Sequence, residues 1–263
     1  MEHVLFSGCS LTFGSGFELE SQDPNLWVNL LHQNTQLKKY NLLNTGLGGR
    51  SNAGIFSDAV YNLVKFDCKY AFITWTSSPR YELDLGLELY DTHHSVIQNG
   101  SARQHNLNDC IYTPEYLNNV RDRFVTLAHP HYEILNIVYY INSLVEIAKL
   151  KKTKLFFING LCEWDQDYFT RLTNVLPSEY TPFTQSLINI DSRDDSEIFQ
   201  IYDKIHNQYE RFGGIQESMW LNLYTSMKST KIDVNSDNVH PGTKSNQFYY
   251  TQFNKSFQSK IGN

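Results

Sequence analysis

The chain has 263 residues, 28 of them acidic and 22 basic, and a formal net charge of −6 at neutral pH. This length is sufficient for one large α/β domain or two small ones. The mild acidity argues against a nucleic-acid backbone as the main ligand, because that requires a basic stripe on the surface. The four cysteines are far apart and form no Cys-x-x-Cys pair, which indicates free thiols in a reducing compartment rather than a zinc site or disulfide framework.

No linker, low-complexity tract or internal repeat interrupts the sequence, which favours a single domain over residues 1–263. No apolar run approaches the length of a membrane span, so we expect no membrane insertion. The N-terminus shows no charged start followed by an apolar stretch, and we expect synthesis in the cytoplasm without a signal peptide. The 17 tyrosines suit the core and also a surface that contacts sugars or a partner.

The first predicted strand, residues 4–6, is a short apolar run that leads into a serine-bearing turn. Gly8 permits a sharp bend, and Ser10 follows just past the carboxyl end of the strand, where a helix can begin. In an open α/β sheet that edge binds ligands, and a backbone N–H at a helix start points toward developing negative charge. Two interpretations stay open here: Ser10 is a nucleophile, or it is only the N-cap of the helix.

The second predicted strand, residues 40–43, leads into a segment with three glycines in the four positions from Gly46 to Gly49. Such a density of glycine means that the backbone closely approaches another group. A phosphate is one candidate, but the Lys-Ser/Thr ending of a P-loop and the dinucleotide-binding spacing are both absent. The other candidate is an oxyanion bound by the Gly49 N–H, and a plain tight turn is the third interpretation.

The third predicted strand, residues 70–75, is apolar, β-branched and aromatic, and polar residues follow it. The hydroxyls of Ser77 and Ser78 are candidates for a further oxyanion donor. Arg80 is a candidate for binding a substrate anion, although pairing with Glu82 at the surface is the commoner arrangement.

Helical patterns separate the predicted strands. Helices are predicted for residues 23–31, 53–63, 132–152 and 244–261. A further strand is expected at residues 155–158, and Trp164 near its end is a candidate for the wall that binds substrate. Alternation of helices with short buried strands predicts one mostly parallel sheet that contains all four strands.

Residues 83–131 fit neither pattern and are interpreted as an insertion that covers the site. The segment is rich in histidine: His93, His94, His105, His129 and His131. The spacing of these histidines does not match that of metal ligands on a helix. We therefore predict that the insertion binds no structural metal.

An Asp-x-x-His sequence, Asp237 to His240, lies in a polar, turn-rich segment near the C-terminus. At this spacing the carboxylate can hold one imidazole nitrogen and leave the other free to take a proton from a serine hydroxyl. Pro241 and Gly242 place the histidine on a stiff loop. The alternative is a surface turn with an idle histidine.

Taken together, these short sequences resemble the SGNH (GDSL-type) hydrolases over nearly the whole chain. Gly8-Cys9-Ser10-Leu11 is similar to the nucleophile block, Gly49 matches the glycine block, and Asp237 to His240 matches the closing block. The resemblance implies a flavodoxin-like three-layer α/β/α fold, with Ser10 as nucleophile, His240 as base and Asp237 as the residue that orients it. Residues 75–82 are similar to SGNH-like proteins encoded by tailed bacteriophages.

The sequence departs from the family pattern at two places. Cys9 replaces the usual Asp before the serine, and Thr76-Ser77-Ser78-Pro79 replaces the usual Gly-x-Asn-Asp block. The missing asparagine amide is an oxyanion donor worth on the order of 3 kcal/mol in such sites.

Two functional hypotheses follow from the resemblance and its departures. The first is a serine esterase that uses no cofactor or metal and acts on a small-molecule or glycan ester, with O-acetyl groups of a glycan as the expected substrate class. The second is a catalytically weak module that binds glycan or forms part of a virion. The sequence predicts no oligomeric state.

Overall fold

The computed structural model describes residues 1–76, 80–83, 95–98, 101–104, 130–161, 219–221 and 226–261. Within these residues the main sheet has four parallel strands: β1 (His3–Ser7), β2 (Asn41–Asn44), β3 (Cys68–Trp75) and β7 (Lys154–Asn159). Their order across the sheet is β2-β1-β3-β7. The prediction that four runs share one parallel sheet is confirmed, and the observed bounds differ from the predicted ones by only one or two residues.

Five helices lie in the described residues: α1 (Ser10–Phe13), α2 (Trp27–Gln33), α3 (Asn52–Lys65), α4 (Pro130–Lys151) and α5 (Thr243–Ile261). Short 3-10 turns occupy Glu20–Gln22 and Gln36–Lys39. The predicted helices are confirmed, but α2 begins at Trp27 rather than at residue 23. The reason is local, because the Asp23 carboxylate accepts the N–H of Asn25 and closes a turn ahead of the helix.

Aromatic side chains cover one face of the main sheet. Phe6 stacks on Phe72 at 4.6 Å between ring centroids, and Phe72 stacks on Phe156 at 5.2 Å, because the parallel register places the three side by side. Trp27 of α2 and Phe257 of α5 meet this row edge-on. The helices α2 and α5 therefore form one outer layer.

The opposite face of the sheet is covered by α3 and α4. Ser7 points away from the Phe6 side, since neighbouring residues of a strand alternate, and its hydroxyl donates to the Ile55 carbonyl in α3. Phe56 of α3 stacks on Tyr140 of α4 at 4.6 Å. The result is a three-layer α/β/α fold, as predicted, whose strand order places a switch point between β1 and β3.

A second sheet of three antiparallel strands lies at the start of the predicted insertion. It consists of β4 (Arg80–Leu83), β5 (Ser95–Gln98) and β6 (Ser101–Gln104) in sequential order. Residues 130 and 131, the last two of the predicted insertion, belong to α4 instead. The remaining part of the insertion falls outside the described residues, so its position over the site and its lack of metal stay predictions.

The described part of the chain contains no group of three or more metal-ligating side chains. Among the helices of the same residues, none has the length and apolar character needed to cross a membrane.

Candidate active site

The Ser10 turn begins directly after β1. The N-cap of α1 is Cys9, which has an extended backbone and makes no capping hydrogen bond through its side chain. Ser10 is the first helical residue and is 7% exposed. The N-cap position belongs to Cys9, so the interpretation of Ser10 as only an N-cap residue is wrong.

The helix is a single turn and ends at Gly14, whose φ of +87° is the left-handed conformation that glycine tolerates best. The N–H groups of Gly14 and Ser15 both donate to the Ser10 carbonyl, at 2.9 and 3.1 Å. These two hydrogen bonds fix the Ser10 carbonyl. The Ser10 N–H lies at the helix start, where no intrahelical acceptor exists.

The glycine-rich loop lies against this turn. The Leu47 N–H donates to the Gly8 carbonyl at 3.1 Å, and the Asn44 side chain donates to the Thr12 carbonyl at 2.9 Å. A Cβ on Gly46 would stand only 2.6 Å from the Phe13 backbone nitrogen. Glycine is required at position 46 because the two backbones are in contact.

Gly49 follows with a φ of +78°. Within the described residues, neither the Gly49 N–H nor the Ser10 N–H has a hydrogen-bond acceptor. Both groups are therefore available to an anion that binds beside the turn, and their role as oxyanion donors stays a prediction.

The end of β3 is held by a residue that the sequence did not single out. The buried Asn52 side chain donates to the Thr76 carbonyl at 3.1 Å and accepts the Thr76 N–H at 2.8 Å. These two bonds fix the direction in which the chain leaves the sheet. They use the Asn52 amide oxygen and one of its two amide hydrogens.

The remaining predicted site residues are not placed by the structure. Ser77, Ser78 and Trp164 lie outside the described residues, and Arg80 is described only through the backbone of β4. Their assignments as oxyanion donors or substrate contacts stay predictions.

Asp237 and His240 form a hydrogen-bonded pair. The Asp237 Oδ2 and the His240 Nδ1 are 2.5 Å apart, and the second oxygen, Oδ1, accepts the N–H groups of Val239 and His240 at 2.9 Å each. A carboxylate only accepts, so the Nδ1 is a protonated nitrogen, and in the neutral ring the Nε2 presents its lone pair. The His240 side chain is 25% exposed.

The electrostatics of Asp237 favour its charged form. Desolvation opposes ionisation, but hydrogen bonds from the His240 ring and from the N–H groups of Val239 and His240 outweigh it. Together they lower the pKa of Asp237 from 3.8 to about 2. The carboxylate therefore stays ionised at any pH at which a histidine works as a base.

Asp233 anchors the loop that carries the pair. Its carboxylate accepts the N–H groups of Lys244 and Ser245 at the start of α5, at 3.0 and 2.7 Å, and the Ser245 hydroxyl at 2.6 Å. At the same time the Asn235 N–H donates to the His240 carbonyl at 2.8 Å. The loop is closed on itself and fixed to the end of a long helix.

Gly16 brings the pair to the Ser10 turn. A Cβ on Gly16 would lie 2.9 Å from the Asp237 Oδ2 and 3.1 Å from the Asn235 Cβ. Gly16 follows Ser15, whose N–H binds the Ser10 carbonyl. Asp237 therefore packs against the same short turn that begins at Ser10, although 227 positions separate the two residues (237 − 10).

No hydrogen bond joins Ser10 to His240 among the described residues. A hydrogen bond between nucleophile and base is often long in an unliganded site and tightens when substrate binds. The predicted reach between these two side chains therefore stays a prediction.

Gly16→Ala tests whether the position of Asp237 matters. The new Cβ would push on the carboxylate, and a φ of +92° is strained for alanine. We expect kcat for an activated ester to fall by roughly 10- to 100-fold, with a loss of about 1 kcal/mol in the free energy of unfolding.

The matched control for this change is Gly48→Ala, because its Cβ would meet the Ser15 hydroxyl only at an ordinary 3.5 Å. Steady-state kinetics and thermal melting of both variants measure the difference. Full activity in Gly16→Ala would show that the Asp237 contact has no catalytic consequence.

Comparison with known proteins finds similar solved structures but no matching protein-family model and no matching curated protein. One similar structure is the psychrotrophic esterase EstA from Pseudoalteromonas sp., inhibited by monoethylphosphonate, at 13% identity and a TM-score of 0.49 over 99% of both chains. A carbohydrate acetylesterase family member from Sinorhizobium meliloti is 13% identical, with a TM-score of 0.45 over 100% of both chains. The lipase/acylhydrolase from Enterococcus faecalis is 10% identical, with a TM-score of 0.45 over 99% of this chain and 97% of that chain.

Proposed function

We propose that the protein is a serine ester hydrolase in which Ser10 is the nucleophile, His240 the general base and Asp237 the residue that orients the base. The observation that carries this proposal is the Asp237–His240 pair, held at 2.5 Å and packed through Gly16 against the turn that starts at Ser10. A serine hydroxyl is a weak nucleophile until a base stands beside it, so the proposal requires this proximity.

The reaction follows from these groups in two steps. The Ser10 Oγ attacks the ester carbonyl carbon while the His240 Nε2 takes its proton, and the protonated ring then gives that proton to the leaving alcohol. The acyl group stays on Ser10 until water, deprotonated by the same nitrogen, attacks the acyl carbon. The bond between the acyl carbon and the Ser10 Oγ then breaks, the Oγ takes a proton back from the His240 Nε2, and the acid is released. The Asp237 carboxylate stabilises the imidazolium in both steps.

The negative oxygen of each tetrahedral intermediate binds the N–H groups of Ser10 and Gly49 in this proposal. Their assignment as oxyanion donors is supported by the absence of any hydrogen-bond acceptor for either N–H group within the described residues. Ser77 or Ser78 supplies a third donor, in place of the amide that the family uses. The reaction consumes only ester and water, so it requires no cofactor.

The proposed substrate is an O-acetyl group on a glycan, with Arg80 and Trp164 as substrate contacts. This part rests on the resemblance of residues 75–82 to phage-encoded SGNH-like proteins and on the abundance of tyrosine. If the protein is encoded by a phage, the proposal also includes its association with the virion.

The second candidate function is a weakly active module that binds glycan. One observation favours it: within the described residues Ser10 makes no hydrogen bond to His240. The altered third block, Thr76 to Pro79, points the same way because it lacks the usual amide donor.

Labelling with a fluorophosphonate separates the two candidates. An activated serine attacks the phosphorus and keeps the phosphonyl group, whereas an unactivated serine does not react. We expect one label per chain, mapped by mass spectrometry to Ser10. Ser15→Ala, a hydroxyl removed from the same turn, should label like the wild type, and Ser10→Ala should not label. An unlabelled wild type, beside a fully labelled reference esterase, would support the binding module instead.

A further inference from the structure

Buried hydrogen bonds connect the Ser10 turn to the His240 loop through two side chains. The Trp27 Nε1 donates to the Leu11 carbonyl at 2.9 Å, directly after Ser10. The Trp27 backbone N–H donates to the Asn246 Oδ1 at 3.1 Å. The Asn246 Nδ2 donates to the carbonyls of Pro241 and Gly242, at 3.2 and 3.0 Å, directly after His240.

We propose that Trp27 and Asn246 are positioning residues that form a strut, Leu11–Trp27–Asn246–Pro241, which sets the distance between the nucleophile and the base. The inference rests on the proposed function, since it assigns these two residues a role in that reaction. Neither touches substrate; each acts on the backbone next to a reacting residue.

The burial of the strut supports a mechanical role. Trp27 is fully buried and Asn246 is 3% exposed, so water does not compete for these bonds. Burying an amide costs free energy unless it is hydrogen-bonded, and a leucine would fill the same space without that cost. The Asn246 amide instead uses its oxygen and both hydrogens on backbone groups, which fixes three chain segments relative to one another.

The strut is separate from the Asp237–His240 pair. Asp237 is held by its own bonds to Val239 and His240, all within four residues of the loop. Loss of the strut should therefore displace the pair as a unit from Ser10 without breaking it. This separation predicts a kinetic signature that general destabilisation does not produce.

Asn246→Ala is the first test. Alanine suits the first turn of α5, and the change removes the donors to Pro241 and Gly242 and the acceptor for Trp27. We expect kcat to fall by roughly 10- to 100-fold, as for a displacement near 1 Å. KM should stay within about twofold, and the acid limb of the pH profile of kcat/KM should not move, because His240 keeps its partner.

The matched control is Asn62→Ala. Asn62 is also a buried helical asparagine, 8% exposed, and its side chain donates to the Asp58 carbonyl within α3. It lies near Cys68, the first residue of β3, since the Cys68 thiol donates to its carbonyl. This amino end of the strand is the end opposite to the Ser10 turn. Asn62→Ala should leave kcat unchanged, and it should lower the melting temperature less than Asn246→Ala does, since it removes one side-chain hydrogen bond rather than three.

Trp27→Phe breaks the strut at its other end, because it removes the Nε1 donor to the Leu11 carbonyl. Apart from that hydrogen bond, the variant loses only ring volume. If both residues act through one strut, Trp27→Phe and Asn246→Ala should be non-additive on kcat, and the double variant should resemble the worse single variant. Additive losses in kcat would overturn the proposal, as would a shifted acid limb in Asn246→Ala.

Hydrogen exchange separates failure of the strut from failure of the proposed function. The Asn235 and Gly242 amides, bonded to the His240 and Asp233 carbonyls, report on the loop. They should exchange faster in Asn246→Ala than in wild type or Asn62→Ala, whether or not the protein hydrolyses esters. Unchanged exchange would overturn the strut, while an unlabelled wild type with faster exchange would overturn only the proposed hydrolase.

Discussion

Ser10→Ala is expected to lower kcat for p-nitrophenyl acetate by on the order of 10⁴- to 10⁶-fold, to the level of oxyanion stabilisation alone. The variant should still fold. Among the described residues the Ser10 side chain makes no hydrogen bond, so its removal leaves no buried partner unsatisfied. Alanine also suits the first helical position of α1. Kinetics and thermal melting on the same preparations test both halves of this prediction.

Ser7→Ala is the matched control, because it removes a hydroxyl from the same segment three residues earlier. The buried Ser7 Oγ donates to the Ile55 carbonyl at 3.2 Å, so its loss should cost about 1 kcal/mol of stability. Its activity should persist. The two variants should thus have opposite effects. Ser10→Ala should lose activity without losing stability, and Ser7→Ala should lose stability without losing activity. Equal rates in wild type and Ser10→Ala would leave the binding module as the better account.

The main sheet could be predicted because each strand is a short apolar run of its own. Cys68–Trp75 and Lys154–Asn159 are buried on both faces, which makes them continuous rather than alternating. The antiparallel strands were missed for the converse reason. Ser95–Gln98 has two apolar residues between two polar ones, which is too short a pattern to distinguish a strand from a loop.

The pairing of Asp237 with His240 could be predicted because it is encoded locally. Asp237 and His240 are three residues apart, and their pairing depends only on the loop between them. Ser10 is recognisable as the serine that follows the first strand. Each of these inferences uses residue type and short spacing, which a single sequence displays.

The supports of the site could not be predicted because they depend on distant segments meeting. Trp27 is a fully buried residue, and its bond to Asn246 joins positions 219 apart. Asn52 and Asn246 are ordinary helical asparagines in the sequence, and only the fold shows that their amides bind backbone groups of other segments, at Thr76 and Trp27. Gly16 has no motif at all, and its need for glycine comes from the neighbouring Asp237 carboxylate.

Asp237→Asn should lower kcat by roughly 10²- to 10⁴-fold, less than Ser10→Ala does. The asparagine Oδ1 can still accept the N–H groups of Val239 and His240, so the loop geometry should survive. The new amide donor faces the ring Nδ1, however, and makes that nitrogen an acceptor. The ring proton then moves to the Nε2, which no longer takes a proton from Ser10.

The matched control for Asp237→Asn is Asp23→Asn, since the Asp23 carboxylate also accepts a backbone N–H two residues on, that of Asn25. Asp23→Asn should keep full activity.

The pKa of Asp237 gives an independent test through stability, because a carboxyl whose pKa falls from 3.8 to about 2 on folding stabilises the protein above pH 3.8. That contribution is lost as the pH falls through the folded value. The stability difference between wild type and Asp237→Asn should therefore be constant well above pH 3.8 and shrink toward about pH 2 in urea unfolding. A difference that is independent of pH, with unchanged kcat, would mean that Asp237 neither carries its charge in the folded state nor orients His240.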